Sequence, residues 1–368
     1  MKFTLTTSFY NGEQFIDLLY DKIKSQTYKN WEWVVTDDFS NDNGRSKLLQ
    51  ISKNDRRVKF VEQTKKKEMF WNPQKFCKDS EIIVQLDQDD YPQPKALEVY
   101  HHFFTKFPEV ILITSVGNMY TNGETWKSFY NPDYRKVNNM TCGYLTFLRA
   151  WRNNPNINFD FNPNDWMKYF YNDLSIICSL EEHGKILNLP RNLYFYSYRE
   201  NSISHNNYDN IDDVRYENEV LINSIIKRRH DNTIDTLNRY FDPIFDESNS
   251  LMDNILNSSS EQLKISFFMD GILSYKKQKL KELFFDHDII FNKLDGDEDY
   301  LIYNVTNLND IMSFMNLSNK DSIKNKQIVI NNFSELPDDV FEAILAIING
   351  RYVYTFQTDI HMIITLLN

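Results

Sequence analysis

The sequence predicts an α/β fold: a Rossmann-like, mostly parallel sheet flanked by helices, then a helical segment and a second, small α/β unit. Three observations lead there. Short apolar runs alternate with amphipathic stretches through the first third of the chain, the pattern of successive βαβ units. Three of those runs end in polar or acidic residues: Tyr10-Asn11, Asp37-Asp38 and Asp87-Gln88-Asp89. A serine-rich stretch, Asn257-Ser258-Ser259-Ser260-Glu261, then precedes a second set of apolar runs, as a linker would.

Taken in order, Phe3–Phe9 reads as a strand and Tyr10-Asn11-Gly12-Glu13 as a loop. Phe15, Leu18, Leu19 and Ile23 fall at helical spacing, so Gln14–Gln26 should be a helix. Trp31–Thr36 is a second strand, Arg45–Lys53 a second helix and Val58–Glu62 a third strand. Trp71–Lys78 is expected to be helical, before the strand Ile82–Leu86. Val110–Val116 reads as a strand, Tyr120–Asn139 as a polar loop, and Trp151–Trp166, rich in Asn and Pro, as a long irregular segment. Leu193–Tyr198 reads as a strand and Asp213–Arg229 as a helix. The expected organisation is a domain over 1–230, a helical linker over 231–257 and a small α/β unit over 258–368. In the last, Leu301–Val305, Gln327–Ile330 and Tyr352–Phe356 look like strands and Asp338–Ile348 like a helix.

Composition excludes several functions. A net charge of −11 disfavours nucleic acid and acidic membranes as partners. With 9 glycines in 368 residues, glycine-rich phosphate loops are not expected, and neither common pattern occurs. Three cysteines without paired spacing indicate a reducing, cytoplasmic compartment. The amino terminus lacks the apolar core of a secretory leader, and no apolar run reaches bilayer length. No membrane span is expected; peripheral association stays open.

The stretch Ile82–Pro92 carries the clearest chemistry. An apolar run leads into Asp87, Asp89 and Asp90. Buried carboxylates are costly, so these acids should sit just outside the sheet, where open α/β sheets bind ligands. Asp87 and Asp89 lie two apart and point to one side on extended backbone. Such a pair suits a hard divalent cation that holds phosphate oxygens. An acidic turn after a strand is the plainer alternative.

Five segments together resemble the family-2 glycosyltransferases of the GT-A fold. They are Leu5–Glu13, Trp33–Asp42, Val84–Asp90, Asn172–Ile186 and Tyr198–Ser204, in the family's order. The resemblance covers roughly residues 1–230. It implies a metal-assisted, inverting transfer of one sugar from a nucleotide-sugar, most readily a UDP-sugar, to an acceptor hydroxyl. Ser8 and Tyr10 would contact the nucleoside, Asp38 the base edge and Asp87 the ribose. Asp89 would ligate Mn²⁺ or Mg²⁺, with Asp90 orienting the loop. Asp173 would be the catalytic base; a simple helix cap is its alternative. The acceptor could be a glycan, a lipid-linked molecule or a protein. An accessory role, or self-association, falls to residues 258–368.

Three positions depart from the family's pattern. Asn172 replaces the Glu before the catalytic Asp, Phe39 the Gly after the Asp pair, and Glu68–Asn72 the usual helix start. Two other functions therefore compete: an inactive relative that binds nucleotide or glycan for assembly, and a nucleotidyltransferase.

Overall fold

A computed structural model describes residues 1–64, 73–121, 124–129, 148–157, 172–197, 211–232, 261–268, 277–278, 281–282, 284–293, 299–304, 327–331, 352–358 and 361–366. The chain divides into two compact units, Met1–Ser248 and Asn249–Asn368.

The first unit opens with β1 (Phe3–Phe9), a short 3₁₀ turn and helix α1 (Ile16–Lys24). It continues through β2 (Trp31–Asp37), α2 (Gly44–Asn54), β3 (Val58–Phe60) and β4 (Ile82–Gln85). After β4 come β5 (Tyr91–Pro92), α3 (Ala96–Lys106), β6 (Val110–Thr121), β7 (Glu124–Phe129) and β8 (Ala150–Arg152). Helix α4 (Asn172–Glu181), β9 (Lys185–Ser197) and α5 (Ile211–Asp231) follow. The sheet order is β3-β2-β1-β4-β8-β6-β9-β5, with β7 beside β6. Strands β3, β2, β1 and β4 are mutually parallel, as are β6 and β9. Strand β8 runs antiparallel between β4 and β6. The mostly parallel α/β plan expected from the sequence is therefore the plan observed.

Burial explains why the central strands read as continuous apolar runs. Every residue of β2 and β4 is buried, as expected of strands covered on both faces. The threonines of β1 are buried with their hydroxyls engaged: Thr4 Oγ1 donates to Glu32 Oε1 at 2.8 Å, and Trp33 Nε1 donates to Thr7 Oγ1 at 3.0 Å. Val34, Ile83, Leu112, Trp151, Ile177 and Ile186 belong to one core cluster between sheet and helices.

Four expectations are corrected. Pro73–Phe76 is a 3₁₀ turn where a helix was expected, because no apolar stripe supports a longer one. Strand β6 runs on to Thr121 and forms a hairpin with β7, inside the expected polar loop. Trp151 and Arg152 pair with β4 rather than starting an irregular segment. Strand β9 begins at Lys185, eight residues before its expected start at Leu193, and pairs along β6.

The second unit holds β10 (Lys264–Phe268), β11 (Asp288–Phe291), β12 (Tyr300–Asn304), β13 (Gln327–Asn331), β14 (Tyr352–Thr358) and β15 (His361–Leu366). Their order is β11-β10-β12-β13-β15-β14. The first four are parallel neighbours, and β14 and β15 form an antiparallel pair beside them. Strands β12, β13 and β14 were expected; β10, β11 and β15 were not. The expected helix over 338–348 lies outside the described residues.

Candidate functional site

Strand register brings the first-unit candidates to one rim. Ser8 pairs with Thr36 and Phe9 with Asp37, while Thr6 pairs with Gln85. Tyr10, Asp38 and Asp87–Asp90 therefore leave the carboxyl ends of three adjacent parallel strands. Thr36 Oγ1 and Ser8 Oγ lie 3.5 Å apart.

Backbone and side-chain bonds lace the β1 and β2 ends together. Asp38 N–H donates to Phe9 O at 2.6 Å. Asn11 N–H donates to Ser40 Oγ at 2.9 Å, and Asn41 N–H returns a bond to Asn11 Oδ1 at 2.8 Å. Asp42 then caps both following helical turns, accepting from Glu13 N–H at 2.9 Å and Gly44 N–H at 3.0 Å. Two residues take up left-handed backbone here, Asn11 (φ 47°) and Phe39 (φ 62°).

Asp37 and Asp38 are both buried, at 7% and 8% exposure. Asp38 Oδ1 accepts a short hydrogen bond from Gln63 Nε2, just beyond β3. Asp37 Oδ2 accepts from Ser40 N–H at 3.2 Å, whereas its buried Oδ1 accepts no hydrogen bond among the described residues. Tyr10 is half exposed, at 47%.

The acidic turn has separated its carboxylates. Asp87 and Asp89 are partly exposed; Asp90 is buried. Asp90 Oδ2 accepts from Tyr194 Oη and Oδ1 from Ser197 N–H, each at 2.7 Å. That carboxylate thus fastens the turn to β9. Burial, then the charges of Asp87 and Asp89, push the Asp90 carboxyl well above the carboxylate range. Burial, with Asp90 beside it, likewise raises the Tyr194 hydroxyl.

The turn fits a divalent cation. Asp87 and Asp89 are partly exposed and two residues apart at the end of β4, so their oxygens could serve a hard cation. Among the described residues no group of three or more acidic, His or Cys side chains forms a metal cage. The fit is therefore to a cation held by one or two carboxylates together with phosphate oxygens, the habit of Mg²⁺ in nucleotide sites.

Asp173 is the second residue of α4; its side chain lies outside the described residues. The other end of α4 is firmly held. Arg229 of α5 pairs with Glu181 at 2.8 Å and with Glu182 at 3.1 Å, and Arg228 pairs with Glu182 at 2.7 Å. Burial alone would lower the Arg229 guanidinium, but Glu181 and Glu182 outweigh it. Lys65–Lys67, Arg199 and His205 lie outside the described residues. Trp151 on β8 is a core residue with 0% exposure, and so no part of the rim.

Sequence reasoning missed Gln63 and Gln88. A signal existed for the first: Gln63 follows an edge strand at an offset like that of the acids.

Residues 4–161 match the sequence profile of the family described as glycosyl transferase family 2. An uncharacterized glycosyltransferase of Haemophilus influenzae is 29% identical over 160 residues, covering 39% of this chain and 47% of that protein. The glucosyltransferase WfgD of Escherichia coli, named for UDP-Glc, is 44% identical over 52 residues, 14% of this chain and 20% of that protein. The chain thus matches less than half the length of these relatives. S. aureus TarS 1–349 in complex with UDP-GlcNAc superposes with a TM-score of 0.44 and 19% identity, over 55% of this chain and 61% of that one.

Proposed function

From the match of residues 4–161 to the glycosyl transferase family 2 profile, we propose that the protein is a family-2 glycosyltransferase that transfers one sugar from a nucleotide-sugar to an acceptor hydroxyl, with inversion. The observation that carries this reading is the rim itself: Ser8, Tyr10, Asp38, Asp87 and Asp89 stand at the ends of three adjacent parallel strands. A UDP-sugar is the donor proposed, in keeping with the UDP-Glc in the name of the Escherichia coli relative.

In this reading Tyr10 and Ser8 bind the nucleoside, Asp38 accepts a hydrogen bond from the base edge and Asp87 binds the ribose. Asp89 holds Mn²⁺ or Mg²⁺, which when bound neutralises charge on the departing diphosphate. Asp173 takes the proton of the acceptor hydroxyl. The acceptor oxygen then bonds to the anomeric carbon as the bond to the diphosphate oxygen breaks on the opposite face. Residues 258–368 act as an accessory unit. Among the described residues no helix is long and apolar enough to cross a membrane.

Thermal shift and hydrolysis of a panel of nucleotide-sugars with Mn²⁺ test the proposal. Asp89→Ala should weaken metal-dependent donor binding. Asp173→Ala should bind donor normally and lose turnover. Failure of any nucleotide to bind in the presence of metal would sink it.

A further inference from the structure

Phe39 is in an unfavourable place on two counts. Its φ of 62° is left-handed, a region that suits Gly, Asn or Asp and penalises a bulky side chain. Its ring is 49% exposed, so little apolar burial offsets the strain. Among the described residues the ring makes no aromatic or cation contact. The turn needs left-handed backbone there, because Ser40 N–H must meet Asp37 Oδ2 while Ser40 Oγ reaches Asn11 N–H. It does not need a phenyl group.

We infer that Phe39 is a nucleobase-contacting residue that sets nucleotide affinity, its exposed ring offered to the flat face of the base. This rests on the proposed nucleotide-binding role of the rim. The position supports it. Phe39 directly follows Asp38, whose carboxylate is fixed by Gln63. It shares one laced pair of loops with the exposed Tyr10: the bond from Asp38 N–H to Phe9 O lies on one side of both residues, and the Asn11–Ser40 bond on the other. Two residues earlier in the same turn, Asp37 Oδ1 is a buried acceptor with no hydrogen bond among the described residues. A phenyl ring has no hydrogen-bonding group, so its contribution is stacking, which every base accepts. Strain retained at an exposed position is a common mark of functional sites.

The test uses the full chain and asks for two effects of opposite sign. Phe39→Gly should raise the melting temperature without ligand, since it relieves the left-handed strain. The same variant should weaken binding of the tightest of UDP, GDP, CDP and ADP with Mn²⁺, by on the order of 5- to 100-fold. Binding of Mn²⁺-pyrophosphate, which has no base, should stay within twofold. Phe39→Trp should keep nucleotide affinity and Phe39→Leu should lose it. A lower melting temperature for Phe39→Gly would show that the ring supports the fold, and would overturn the inference. So would unchanged nucleotide affinity, or an equal loss for pyrophosphate. If the unaltered protein binds none of the four nucleotides, the rim's proposed role fails along with it; if it binds and the variants do not differ, only the role of Phe39 fails.

Discussion

Gln88 holds the backbone of Tyr10 from both sides. Its Oε1 accepts the Tyr10 N–H at 2.9 Å, and its Nε2 donates to the Tyr10 carbonyl at 3.2 Å. One amide thus does for the β1–β4 gap what a strand pair does within the sheet. Gly12 completes the arrangement: a Cβ there would overlap Gln88 Oε1 and come within 2.9 Å of its Cδ. The middle residue of the acidic motif therefore positions the aromatic residue of the first loop.

Replacing Gln88 with Ala frees Tyr10 without touching either flanking carboxylate. Two exposed hydrogen bonds, each contributing about 0.5–1.5 kcal/mol to stability, are lost, so nucleotide affinity should fall severalfold and the melting temperature should drop measurably. Isothermal titration with UDP and Mn²⁺ measures the first and calorimetry the second.

Arg229 is the partner of two buried acids, Glu181 and Glu182. Arg229→Met should destabilise the first unit by about 3–5 kcal/mol, because uncompensated charges stay buried. Adding Glu181→Gln and Glu182→Gln should restore part of that loss. Urea denaturation of the single and triple variants gives the comparison.

Glu32 provides an acid-sensitive contact at the end of β2 away from the rim. Burial alone would raise its carboxyl, but Lys2, Lys59 and Thr4 outweigh burial and lower it. Lys2 Nζ lies 2.8 Å away and Lys59 Nζ 2.6 Å. A depressed folded-state value means that the stabilisation is present above the unfolded value, about 4.3. It is lost as pH falls through the folded value. Glu32→Gln should cost about 1–2 kcal/mol at neutral pH and flatten the stability profile below pH ~4.3. Turnover per folded molecule should be unchanged.

Cys77 and Cys178 are buried, and burial pushes each thiol up to about 12. Thiolate is the reactive form, so at pH 8 neither should react with a disulfide reagent in the folded protein. A Cys142→Ser variant isolates the pair: no absorbance change is expected until denaturant is added, when both should react. Fast reaction of either in the native state would contradict the packing around β4 and α4.

The parallel half of the sheet was legible because burial on both faces makes its strands unbroken apolar runs. Trp31–Asp37 and Ile82–Gln85 have no exposed face to encode. Strand β8 was not legible: only Ala150–Arg152 pair, and a run of Asn and Pro follows at once. Strand β5 is two residues long and exists because β9 passes beside it. The rim was legible as chemistry but not as connection. Nothing local to Asp90 foretells Tyr194, 104 positions away, or Ser197, 107 positions away. Likewise Gln63 meets Asp38 only after β3 has docked on β2. Periodicity reports which side of an element is dry; it does not report which elements become neighbours.

The late arrival of β8 has a consequence for synthesis. Once Gln85 has emerged, β3, β2, β1 and β4 can pair with one another. The other edge of β4, built from Ile82, Ile83 and Val84, must wait for Ala150–Arg152. Roughly 65 residues must still be added, which at ~5–20 residues per second takes roughly 3–13 s on the ribosome. During that interval the nascent chain presents a bare, β-branched edge strand, the type of surface on which chains co-aggregate. Chaperone demand should therefore peak while this stretch is being translated, and fall once Arg152 has cleared the exit tunnel.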